Sequence, residues 1–121
     1  MAASAGNHGR AVAHVAGRRG LACRVFLPAS AAPVRREAIA AEGADVVLVD
    51  GLYEDAVARA AVRGARAGVL EVADVGTSGS ASWVIDGYAT LFDETKRQGS
   101  YDTILVPVPH QPGKQNTFGL P

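Results

Sequence analysis

The chain has 121 residues, 48% of them hydrophobic, and its 12 basic residues balance 12 acidic ones. That length suits one modest domain, and the apolar content is too high for a disordered chain. A zero net charge, with no basic stripe interleaved with aromatics, argues against nucleic acid and anionic membrane surfaces as partners.

In chain order, residues 8–18 open with a helical pattern, since Ala11, Val12, Val15 and Ala16 share one face. Gly20, just after Arg18 and Arg19, is a C-terminal stop. Residues 22–27 form a short apolar run between Gly20 and Pro28 and predict a strand. Ser30 is a candidate cap for a second helix, which has Pro33 in its first turn, Val34, Ala38 and Ala41 on one face, and Gly43 at its end. Residues 46–49 predict another strand. A third helix covers 53–66 through Tyr53, Ala56, Val57 and Ala60, with Glu54 and Asp55 favourably placed at its start. Residues 69–73 predict a brief strand and 74–81 a loop. Val84, Tyr88, Leu91, Phe92 and Thr95 mark the clearest helical stripe, closed by Lys96, Arg97 and Gly99. Residues 102–106 predict a fourth strand.

Strands alternating with helices, with apolar residues on both strand faces, predict an α/β fold: a parallel sheet with helices on both faces, three layers, here incomplete. The organised unit is expected over 1–106. Residues 107–121 hold four prolines and no periodic face, and read as a disordered tail. No apolar run approaches a membrane span, and the opening residues lack the apolar core of a signal peptide. A lone Cys23 in an apolar segment reads as a buried, inert thiol in a reducing, cytoplasmic compartment. His8, His14 and His110 lack metal-ligand spacing, so no metal site is expected. Tyr53, Trp83 and Tyr88 read as packing residues with one polar edge.

The most informative segment is Ser4-Ala5-Gly6-Asn7-His8-Gly9. Its small residues allow close backbone approach, and the helix behind it presents a positive end to an anion. Ser4 and Asn7 are candidates to hold a carboxylate or phenolate-like oxygen, or else simply to cap the helix. Asp74 is either a functional carboxylate or a turn residue.

This segment, with the following Arg-Ala-Val-Ala, resembles the fold-type II pyridoxal-phosphate-dependent enzymes, the tryptophan synthase β-like group. Trp83-Val-Ile-Asp-Gly-Tyr-Ala-Thr-Leu with Asp74 is similar to the diaminopropionate ammonia-lyase branch. The resemblance runs over 4–106 and implies mostly the small domain of such an enzyme. It implies that Asn7 hydrogen-bonds the ring oxygen of pyridoxal phosphate, that Ser4, Gly6 and His8 receive the substrate carboxylate, and that Asp74 removes an α-proton. The implied chemistry is β-elimination from a small amino acid (diaminopropionate, or one like serine or threonine) to a 2-oxo acid and ammonia, by an enzyme that is usually homodimeric.

Three departures stand beside the matches. Ala5 replaces an aspartate of that branch, which argues against use of both substrate enantiomers. The family's Schiff-base lysine lies upstream of the asparagine loop, and neither Lys96 nor Lys114 matches it. Where the family has a glycine-rich phosphate loop, this chain has Pro-His-Gln-Pro-Gly. The expectation is a fragment inactive alone, or a non-catalytic interaction or ligand-binding module derived from the family.

Overall fold

The computed structural model describes residues 1–4, 6–74, 76 and 79–103. β1 (Ala2–Ala3), β2 (Arg24–Pro28) and β3 (Asp45–Val49) form a parallel sheet in that order, with Val25 beside Ala2 and Val46 beside Val25. The helices are α1 (Asn7–Arg18), α2 (Pro33–Ala41), α3 (Tyr53–Gly64) and α4 (Ser80–Gln98).

The central strand shows why three layers form. Val25 and Leu27 point to one face, where Ala13 of α1 and Ile39 of α2 complete a buried cluster with Cys23. Phe26 points to the other face and packs with Ala56 and Ala60 of α3, Ala3 and Val49. The strand's twofold alternation thus feeds two cores from three consecutive residues. Helices cover both faces, as the sequence predicts. The Cys23 thiol is buried, and burial pushes its pKa up.

Chain reversals follow local chemistry. Gly20 has φ +65, and its N–H bonds to Gly17 O at 3.1 Å while Leu21 N–H reaches Ala16 O at 2.9 Å. This is a Schellman ending in which the left-handed residue is glycine. Pro33 occupies the first turn of α2, where its missing N–H costs nothing. Asp55 accepts from Leu52 N–H at 2.7 Å and closes the start of α3.

Several expectations are corrected. The cap of α2 is Ala32, with no side-chain capping bond, so Ser30 does not cap it. β2 begins at Arg24 because Leu21 and Ala22 are exposed before the sheet is reached. β3, at an edge of the sheet among the described residues, is apolar on both faces but not buried on both: Leu48 is 44% exposed. α3 ends at Gly64, and α4 begins within the expected loop, at Ser80. Residues 69–73 form no assigned strand. They still add one rung: the Met1 amino group donates to Leu70 O at 2.6 Å and Val72 N–H donates to Met1 O at 2.8 Å. That alternation is the parallel pattern, so the segment flanks β1 on the side away from β2. Asp102 and Thr103 are not in a strand, and the rest of 102–106 lies outside the described residues, as does the tail 107–121. No described helix is long and apolar enough to cross a membrane.

Candidate functional site

All strands run the same way, so their C-terminal ends collect on one edge, the position at which open α/β sheets bind ligands. Leaving β1, the chain passes through Ser4 and Gly6 into α1. Leaving β3, it reaches Tyr53 at the start of α3. Leaving 69–73, it reaches Asp74. The sheet order sets the first and last of these side by side.

Ser4 is buried, 3% exposed. Its N–H bonds to Phe26 O at 3.1 Å, and its Oγ accepts from Gly6 N–H at 3.1 Å while lying 3.4 Å from Gly6 O. Its polar groups are therefore engaged inside the protein, and Ser4 braces the loop. Neither Ser4 nor Asn7 caps α1: the N-cap is Gly6, and no side chain caps the helix. The helical ladder starts with Arg10 N–H to Gly6 O at 3.4 Å. The first-turn amides of α1 face this positive end of the helix. A Cβ at Gly6 would meet nothing within 4 Å, so the loop is open to a ligand there.

His8 is half-buried, and its Nε2 lies 2.9 Å from Val72 O, tying the start of α1 to the chain that delivers Asp74. Ala73 N–H donates to Ser80 Oγ at 3.0 Å, which fixes the other side of the same turn. Asp74 itself is exposed, and Tyr53 Oη donates to its Oδ1 at 3.1 Å. His8 and Asp74 are thereby gathered on one edge. Asn7 is exposed one position earlier on α1, where it lines an open hollow with Arg10, His14 and Glu42. There Glu42 accepts from Arg10 Nε and faces His14 Nδ1, both at 2.9 Å. The hydrogen bond to His14, then that to Arg10, lowers the Glu42 pKa.

Tyr53 is the residue that sequence reasoning assigned to packing. Burial, then the Asp74 charge and hydrogen bond, pushes its hydroxyl up to about 12. The signal available was its place directly after a strand end, where the loop chemistry of an α/β fold is concentrated. The raised value has a definite sign. Protonated Tyr53 stabilises the fold fully below pH 10, and that contribution is lost as the pH rises through about 12. In an alkaline absorbance titration, one of the three tyrosines is expected to ionise late. Tyr53→Phe should remove that late phase, and Asp74→Asn should bring it earlier. A titration unchanged by both variants would contradict the pairing.

Among the described residues, no group of three or more His, Cys, Asp and Glu could hold a metal ion. The open space at Gly6 and the positive end of α1 behind it leave room for an anionic guest at this edge. The described lysine, Lys96, is in the last turn of α4 rather than on the elements carrying Asn7 or Asp74.

Comparison with known proteins agrees with this architecture. The family model described as "Pyridoxal-phosphate dependent enzyme" matches residues 1–111. The diaminopropionate ammonia-lyase of Escherichia coli (strain K12) is 34% identical over 96 residues, covering 77% of this chain and 24% of that protein. A crystal structure of the holo ammonia-lyase from Escherichia coli superposes with a TM-score of 0.74 at 32% identity, over 80% of this chain and 26% of the other. Threonine deaminase isoform 2 from Solanum lycopersicum superposes at 0.63 with 28% identity, over 80% of this chain and 27% of the other. The chain spans about a quarter of the length of these relatives. A match over nearly the whole chain, joined to a parallel sheet with its loop chemistry on one edge, makes this chain a member of the fold-type II pyridoxal-phosphate-dependent enzyme family.

Proposed function

We propose that this chain is the small-domain portion of a pyridoxal-phosphate-dependent ammonia-lyase and does not turn over substrate by itself. The observation that carries the reading is an open helix start at Gly6, tied through His8 Nε2 to Val72 O two residues before Asp74. The similarity to enzymes named diaminopropionate ammonia-lyase supports a small amino acid, diaminopropionate or one like serine or threonine, as substrate. Products are a 2-oxo acid and ammonia. When bound, pyridoxal phosphate supplies an electron sink for charge at the substrate α-carbon.

The chain's own residues do the rest. Asn7 hydrogen-bonds the ring oxygen and orients the ring. The loop of Ser4, Gly6 and His8 receives the substrate carboxylate, with Ser4 bracing its shape and the first amides of α1 donating. Asp74 takes the α-proton, and Tyr53 fixes its carboxylate through one oxygen. Covalent capture of the cofactor needs an amine beside this loop; Lys96 stands in the last turn of α4, and Lys114 does not match the family's lysine in sequence.

A titration with pyridoxal phosphate followed by borohydride reduction and peptide mass spectrometry tests this. Weak, reversible binding is expected, lowered about tenfold in Asn7→Ala through loss of one ring contact. No lysine should be labelled and no 2-oxo acid released from diaminopropionate. A label on Lys96 or Lys114, or ammonia release, would overturn the claim of incapacity. Binding unaffected by Asn7→Ala would remove Asn7 from the site and favour a ligand-binding or interaction module without that chemistry.

A further inference from the structure

The ring of His8 reaches away from the loop that contains it. Its Nε2 lies 2.9 Å from Val72 O, across 64 residues of sequence. A carbonyl oxygen only accepts, so the hydrogen is on Nε2. A neutral imidazole has one N–H, and here that N–H is engaged inside the protein. The neutral ring therefore has no second hydrogen to offer a substrate carboxylate.

The carbonyl it holds stands where the backbone ladder gives out. The Met1 amino group donates to Leu70 O at 2.6 Å, and Val72 N–H donates to Met1 O at 2.8 Å. Continued parallel pairing would next bring Ala3 N–H to Val72 O. No strand is formed over 69–73, and the hydrogen bond to Val72 O comes from the His8 ring. A side chain of the ligand loop thus stands in for a rung of the sheet. One residue further on, Ala73 N–H donates to Ser80 Oγ at 3.0 Å, and Tyr53 Oη then meets Asp74 Oδ1 at 3.1 Å. Neither buried core cluster contains His8, Val72 or Asp74. The arm that carries Asp74 is held by a few hydrogen bonds rather than by packing, and segments held this way open locally at low cost.

We propose that His8 is a positioning residue, whose ring N–H fixes the Val72 carbonyl and so sets Asp74 against Tyr53. That role bears on the reaction only if Asp74 takes the α-proton, as proposed above, but the strut itself needs no cofactor. It also links the two halves of the site, since a shift of the loop at the start of α1 is passed through one hydrogen bond to the carboxylate.

The alkaline absorbance titration reads the Tyr53–Asp74 pair, because the Asp74 charge and hydrogen bond add to burial in delaying that hydroxyl. His8→Phe keeps a ring of similar size and removes the N–H. The Tyr53 phase should come earlier, toward its position in Asp74→Asn, with unchanged far-ultraviolet circular dichroism. In the double variant His8→Phe with Asp74→Asn, the phase should stand where Asp74→Asn alone puts it, since the two changes break one chain of contacts. His8→Gln places an amide N–H where Nε2 stands and should restore the late phase. His8→Asn is one carbon shorter and should not. At neutral pH, amide exchange at Val72 and Ala73 should quicken by roughly three- to tenfold in His8→Phe, the loss of one hydrogen bond, with Val25 and Leu27 unchanged.

A Tyr53 phase unmoved by His8→Phe would overturn the strut, as would Gln and Asn variants that behave alike. So would shifts that add in the double variant, or exchange that quickens equally in β2, which would make His8 a support of the whole fold. Should His8→Phe fail to fold, the Gln and Asn pair decides by itself. None of these measurements uses pyridoxal phosphate, so this inference and the proposed function fail separately.

Discussion

Leu27→Ala should lower the free energy of unfolding by about 3 kcal/mol, within a range of roughly 2–5. Leu27 has no exposed surface and packs in one cluster with Val25, Ala13 and Ile39, so truncation leaves a hole bounded by a strand and two helices. That hole cannot collapse easily, because Val25 and Leu27 belong to a strand hydrogen-bonded on both sides. The lost contacts therefore add to the lost transfer energy. Leu48→Ala is the control. It removes the same atoms from a side chain 44% exposed on the edge strand, and should cost less than about 1 kcal/mol. Urea unfolding of both variants measures the contrast. Equal losses would mean that the two-sided core described here does not hold the fold.

The contrast between these two leucines also shows what the residue pattern can convey. β2 was legible because glycine and proline bound a short apolar run, and because every inward residue is large. α1 and α3 were legible from their helical faces. β1 was not. Two alanines have weak strand preference and no length over which alternation can appear. They are buried because β2 and the 69–73 segment lie on either side and α3 packs over Ala3. The same long-range pairing hid the role of residues 69–73, which hold one rung rather than a ladder. At the site, Asn7 and Asp74 stood out through family resemblance, whereas Tyr53 did not. An aromatic at the head of an amphipathic face reads as packing until the fold shows which carboxylate it reaches. Ser4 stood out as a ligand candidate, and the structure turns its hydroxyl inward to Gly6.

That inward turn rests on one contact between elements, and it leads to the second large effect. Gly9→Val is expected to cost about 3 kcal/mol or more, against about 1 kcal/mol or less for Gly6→Ala in the same loop. A Cβ at Gly9 would stand 2.9 Å from Ser4 Cβ and 2.9 Å from Val25 Cγ1, with Ser4 Oγ at 3.3 Å. Ser4 is anchored to Phe26 through its amide, and Val25 belongs to the central strand. Neither is the far end of a flexible chain. Relief must come from α1 lifting away from the sheet, which separates Ala13 from the Leu27 cluster. At Gly6, by contrast, space is open and φ is −167, which any residue adopts. The two glycines thus answer to different demands, one from packing and one from ligand access. Urea unfolding should separate them in stability, and pyridoxal phosphate titration should separate them in the other order per unit of stability lost. Gly6→Ala should weaken binding while the fold persists. If Gly9→Val left stability within about 0.5 kcal/mol of the parent, the close seating of α1 on β2 that gives the site its shape would be wrong.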